Sequence, residues 1–305
     1  DKGRLKVSST NLETGINTWT AGKVADEGGV CVPAKTLTNL INNLTEEKIS
    51  LETKKNTLYI KTEKYKAAIN GFDQKDFPII PKIKEDKNNF SINVGLLREA
   101  LVKTAFSASV SDFRPEISGV FVGLTDNTLI LAATDSFRLA EKTIKTKDLK
   151  GIEASFIVPL KTIQEIGKIL ADQKEGTIKI AFNKNQILFE TETIQLISRL
   201  VEGSFPNYQQ IIPKQFKTTT ILDKNETLST IKLTSVLSGK LNDIKFKINP
   251  EKQQIEITAQ DSELGENQSV IEGKISGEPL EIVFNHNYLS DGINNLSGNK
   301  VFFGF

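Results

Sequence analysis

The chain has no methionine, one cysteine, one histidine and one tryptophan in 305 residues. The single cysteine, Cys31, excludes an internal disulfide framework and fits a reducing, cytoplasmic setting. One cysteine and one histidine, His286, cannot make a zinc site. His286 has no nucleophile or carboxylate placed beside it by spacing, so it reads as a surface or capping-region residue rather than a catalytic base. The carboxylates follow no metal-loop spacing, and Gly119-Val120-Phe121-Val122-Gly123 follows no phosphate-loop pattern, so its glycines read as strand residues. No catalytic residue, metal or cofactor is expected, and an enzyme with its own active site is disfavoured. No run of about 18 apolar residues exists, so no membrane span or membrane partner is expected. A chain that starts at Asp1 with no methionine is expected to have its true start upstream. Charge of neither sign dominates. A net +1 does not advertise a nucleic-acid binder, but 39 basic residues suffice for one basic surface if they are segregated.

What the chain does contain is an internal repeat of domain size. Val30-Cys31-Val32-Pro33 opens an apolar pattern through Leu37, Leu40, Ile41 and Leu44. Phe156-Ile157-Val158-Pro159 opens the same pattern through Ile163, Ile166, Ile169 and Leu170. Ile282-Val283-Phe284-Asn285 opens it again through Tyr288, Leu289, Ile293 and Leu296. Pro33, Pro159 and Asn285 stand 126 residues apart, the signature of whole-domain repetition. Each copy predicts the end of a strand and then an amphipathic helix. Proline or asparagine suits the entry, where the first helical amides lack intrahelical partners. Phe77-Pro78 and Phe205-Pro206 close the first two copies 128 residues apart.

Length and repeat together predict three units, 1–83, 84–213 and 214–305. In the first, strands are expected at 4–9, 14–19 and 65–70, and period-2 alternation predicts a hairpin of strands at 48–53 and 57–62. The second opens on a strand at 90–93, with Asn93 capping a helix through Leu96, Leu97, Ala100, Leu101 and Thr104. A hairpin at 119–133 turns on Asp126-Asn127, and strands at 177–182 and 186–191 follow the repeat helix. The third holds a helix at 226–237, strands at 244–248 and 254–258, and the last repeat helix. By this comparison copy one lacks an opening helix and copy three lacks its end.

Cations recur on the expected helices: Lys35, Arg98, Lys103, Lys161, Lys168, Lys232 and Lys240. Scattered lysines ordinarily mark a solvated face. The alternative is that helices of all units line one surface and touch phosphates without reading bases.

The threefold repeat, Thr134-Asp135-Ser136-Phe137-Arg138-Leu139, Val158-Pro159-Leu160-Lys161 and Phe205-Pro206-Asn207-Tyr208 together resemble the bacterial DNA polymerase III beta subunit family, the sliding clamps. The resemblance runs over the whole chain. It implies an α+β fold of three repeated DNA-clamp domains, with helices on the inner face and antiparallel sheets outside, closed as a head-to-tail homodimeric ring. The implied role is processivity in DNA replication: the ring encircles double-stranded DNA without sequence preference and tethers the polymerase, with no catalysis of its own. The implied partners are the DNA polymerase III catalytic subunit, the clamp loader and other clamp-motif proteins, held through a cleft between the second and third domains. The matching cleft residues are Ile117, Thr134, Ser136, Phe137, Arg138, Leu139, Pro206, Gln210, Ile211, Leu241, Asn285 and Tyr288, with Gln210 standing where many relatives carry a basic residue. The implied dimer seam sets Tyr65, Ala67 and Ile69 of one chain against Val236 and Leu237 of the other. The family has roughly forty residues ahead of the point matching Asp1, by the length of the repeat, and a strand and tail after the end. The chain therefore resembles a clamp truncated at both ends. The rival expectation is a peptide-binding scaffold of the same fold that does not encircle DNA.

Overall fold

The structure, a computed structural model, describes residues 3–83, 88–111, 113–149, 151–173 and 175–305. The expected boundary between the first two units falls at 84–87, outside the described residues.

Unit one contains β1 (Arg4–Thr10), β2 (Thr14–Ala21), α1 (Ala34–Asn42), β3 (Ser50–Lys54), β4 (Thr57–Lys61) and β5 (Lys66–Asn70). Unit two runs β6 (Asn89–Asn93), α2 (Val94–Ala105), β7 (Gly119–Thr125), β8 (Thr128–Thr134), β9 (Leu139–Lys145), β10 (Ala154–Pro159), α3 (Leu160–Ala171), β11 (Thr177–Phe182), β12 (Gln186–Glu190) and β13 (Ile194–Arg199). Unit three runs β14 (Thr218–Asp223), α4 (Lys224–Thr234), β15 (Asp243–Asn249), β16 (Gln254–Asp261), β17 (Gly265–Glu272), β18 (Lys274–Gly277), β19 (Leu280–Asn285), α5 (His286–Asn295) and β20 (Lys300–Gly304).

The three repeat helices form where the 126-residue period places them. Pro33 and Pro159 precede α1 and α3 with no side-chain cap, whereas Asn285 accepts from the backbone N–H groups of Asn287 and Tyr288. Buried Ile163, Ile166 and Leu170 give α3 one apolar stripe at helical spacing. In α2, Val94, Leu97, Ala100, Leu101 and Thr104 are buried and Asn93 Oδ1 accepts from Leu96 N–H. The helix expected at 226–237 begins earlier, because Asp223 caps it through Asn225 and Glu226 N–H. It ends in a tighter turn, Ser235–Leu237.

Among the described residues every strand pair is antiparallel. The β7–β8 turn has positive φ at Asp126 and Asn127, the handedness a two-residue hairpin needs. One six-stranded sheet, β1-β2-β13-β12-β11-β6, crosses from unit one to unit two, with β13 paired to β2. A strand edge that would otherwise be exposed is thus used to join units.

Three apolar clusters sit in the three units. The largest includes Leu97, Leu131, Ile163, Ile178 and Phe189. A second centres on Phe246, Ile257 and Ile293. The smallest holds Leu58, Ile60 and Ile69, with Leu37, Leu40 and Ile41 of α1 against it. Helices α2 and α3 pack together, as do α4 and α5. Strands β9, β13, β14, β17, β18 and β20 add to those read from the sequence.

Candidate functional site

The β8–β9 loop is built by its own side chains. Asp135 Oδ1 accepts from Phe137 N–H and Arg138 N–H, both at 3.0 Å. Thr134 Oγ1 donates to the Arg138 carbonyl at 2.7 Å and accepts from Ser136 N–H at 3.1 Å. Ser136 takes φ +79°, a left-handed conformation uncommon for a residue with a Cβ. Arg114 Nη1 steadies it through a 2.8 Å hydrogen bond to Ser136 Oγ. The outcome is that Phe137 points outward, 82% exposed, while Thr134, Arg138 and Leu139 are half-buried.

The outward Phe137 meets unit three. Its ring stacks on Tyr288 of α5 with centroids 6.5 Å apart. The Arg138 guanidinium lies 4.8 Å over the same Tyr288 ring and 5.6 Å over Phe106, at the end of α2. Its Nε donates to Asp135 Oδ2 at 3.0 Å and its Nη1 to Asp291 Oδ2 on α5. Burial opposes the charge on Arg138, but hydrogen bonds to Asp291 and Asp135 outweigh it and hold its pKa above the usual value. Asn285 fixes the start of α5 as its cap. Leu241, 79% exposed, stands in the adjoining turn Gly239–Leu241, and the next residue's carbonyl, that of Asn242, accepts from His286 N–H at 2.9 Å. His286 is half-buried and burial lowers its pKa.

A third segment follows Phe205-Pro206. Tyr208 is buried, edge-on to Phe121 and Phe205. This anchor leaves Pro206, Gln210 and Ile211 exposed on the turn. Ile117 departs from expectation: it is 2% exposed, so it backs the site from inside unit two and offers no surface to a ligand. Arg114, Phe106 and Asp291 are additions to the expected site, and Asp135, present in the Thr134–Leu139 motif, joins them as a residue not expected in the cleft. Asp291 lies three residues after Tyr288 and hence on the same helix face, a signal the sequence does contain.

The helix cations differ in freedom. Lys35 on α1, Lys161 on α3 and Lys232 on α4 are exposed. Lys168 is exposed and pairs with Glu165 at 2.7 Å. Lys103 bonds Glu99 and reaches Ser297, and Lys142 also bonds Glu99. Hydrogen bonds from Lys103 and Lys142 hold the Glu99 carboxyl below the usual range. Arg98 lines an open groove of about 510 Å³ between α2 and the end of α5, with Gly95, Val102, Asn294 and Leu296. Lys240 sits beside Leu241 in the turn, off the helices where it was expected.

Of the expected seam residues, Tyr65 and Val236 are exposed and Ala67 and Leu237 half-buried. Ile69 is 6% exposed and packs in the core of its own unit. Strand β5 pairs only with β4, and β17 only with β16, so each is a sheet edge among the described residues. No helix there is long and apolar enough to cross a membrane, and no group of His, Cys, Asp and Glu is placed to hold a metal.

Family models for the DNA polymerase III beta subunit match in order: the N-terminal domain over 1–81, the central domain over 91–207 and the C-terminal domain over 209–305. The beta sliding clamp of Synechocystis sp. is 27% identical over 99% of this chain and 82% of its own length. The crystal structure of the DNA polymerase III beta subunit of Thermotoga maritima superposes with a TM-score of 0.92 at 26% identity, covering 100% of this chain and 82% of that one. The Pseudomonas aeruginosa sliding clamp bound to griselimycin superposes with a TM-score of 0.94 at 25% identity, covering 100% and 82%. With three domain models matched in register over nearly the whole chain, it belongs to the DNA polymerase III beta subunit family, the non-catalytic sliding clamps of DNA replication.

Proposed function

We propose that the β8–β9 loop, the 206–211 segment, Leu241 and the start of α5 form the cleft through which this clamp holds its partners. The observation that carries this reading is the stack of exposed Phe137 on half-buried Tyr288 across units two and three. Apolar side chains surrounded by a few fixed polar groups suit capture of short peptide motifs. The partners are the DNA polymerase III catalytic subunit, the clamp loader and other proteins carrying clamp motifs. Griselimycin is bound by the Pseudomonas clamp, and we take it as the probe of this surface. Calorimetric titration tests the assignment. Phe137→Ala is expected to weaken griselimycin binding at least about tenfold, the factor given by ~1.4 kcal/mol, and unchanged affinity would remove Phe137 from the cleft.

The same reading gives Lys35, Arg98, Lys161, Lys168 and Lys232 a role facing duplex DNA in the cytoplasm, with Lys103 secondary because Glu99 already engages it. Phosphate contacts carry no base information and permit movement along any sequence. Two chains close head to tail as a homodimer, with the β5 and β17 edges at the seams. Ile69 supports that edge from within rather than crossing it. Domains at 1–83, 84–213 and 214–305 are supported by the three separate apolar clusters.

A further inference from the structure

We propose that Arg138 is a latch between units two and three, and that Asp291 is its catch: together they hold the Phe137–Tyr288 wall of the cleft in position. The proposal rests on the cleft reading above and adds a residue to it. Arg138 meets three separate segments. Its Nε is committed to Asp135 in its own loop, its Nη1 to Asp291 on α5, and its face to Tyr288 and to Phe106. A planar guanidinium suits this combination of fork and stack, which a lysine ammonium does not reproduce. Its neighbour Phe137 has no comparable support, being 82% exposed with its stack on Tyr288 as the contact to unit three. Tyr288 and Asp291 are three residues apart on α5, so one cation meets both from the same side. Removing the Asp291 charge takes the ion pair out of the Arg138–α5 contact, leaving the stack on Tyr288, and so loosens the distance between Phe137 and Tyr288. Arg138 is thus a positioning residue, and the cleft is a property of the inter-unit junction rather than of either unit.

The test is a double-mutant cycle read by griselimycin titration of the full chain, with Phe137→Ala as the control for the cleft. Asp291→Asn is expected to weaken binding about tenfold, Asp291→Glu to restore most of it, and Arg138→Gln to weaken it similarly. Adding Asp291→Asn to Arg138→Gln is expected to change affinity by less than about twofold, because coupled residues are non-additive. Amide exchange supplies a second readout without ligand: in Asp291→Asn, exchange at Phe137 and Arg138 should speed up while buried β8 amides stay unchanged. If Phe137→Ala weakens binding while Asp291→Asn is neutral, or the two latch variants add, the latch is overturned and the cleft stands. If the wild type does not bind, or Phe137→Ala is neutral, the cleft reading fails and the latch falls with it.

Discussion

The Tyr208 hydroxyl donates to Glu141 Oε2 at 2.6 Å, tying the turn after Phe205-Pro206 to β9, 67 residues earlier. The ring is buried against Phe121 and Phe205, so Tyr208 fixes the turn that exposes Ile211. Tyr208→Phe keeps the ring and loses the hydrogen bond, and Glu141 is exposed enough to rehydrate. A loss of about 1 kcal/mol in urea unfolding is expected. Tyr208→Ala also removes the ring and should lose about 3–5 kcal/mol.

The same pair sets an alkaline limit. Burial first, and then the Glu141 hydrogen bond and charge, push the Tyr208 pKa up. A group whose folded pKa lies above its unfolded value contributes stability that is complete below the unfolded pKa, about 10 for tyrosine. That contribution is lost as pH rises towards the folded value. Of the four tyrosines, Tyr208 should resist titration until the protein unfolds. Tyrosinate absorbance against pH checks this, and Tyr208→Phe should remove the late step.

Two helix caps separate stability from binding. Asn93 caps α2 and Asn285 caps α5. Each change to alanine should destabilise by ~1 kcal/mol. Only Asn285→Ala should also weaken griselimycin binding, since α5 carries Tyr288 and Asp291. Parallel urea curves and titrations distinguish the two.

Charge reversal tests the helix face. Lys35→Glu with Lys161→Glu alters exposed side chains, so thermal stability should move little. Retention on DNA should fall, and the salt dependence of binding should flatten by about 0.9 per phosphate contact removed. Unchanged retention would favour a scaffold that does not encircle DNA.

Much of the architecture is legible in the sequence because it is set locally. Pro33, Pro159 and Asn285 mark helix entries by their own chemistry, and Asp126-Asn127 can take the positive φ that its hairpin requires. Other strands are not local facts. Strand β17 has one buried residue, Ile271, and opens on the polar run Glu266-Asn267-Gln268-Ser269, being a strand through its pairing with β16. Strand β13 is defined by β12 on one side and by β2 of another unit on the other. The site divides in the same way. Phe137 and Tyr288 are readable by motif, but nothing local says that Ile117 and Ile69 turn inward or that Arg138 spans 153 residues to Asp291. Lys240 looks helical by spacing, but the left-handed Asn242 ends the turn that holds it.

The most direct measurement is retention of the loaded clamp on circular against linear duplex DNA of the same sequence. A ring that encircles DNA stays on the closed circle and slides off the free ends of the linear form, so the two lifetimes should separate widely. Equal loss from both would contradict encirclement and leave a protein that binds DNA, or its partners, from one side.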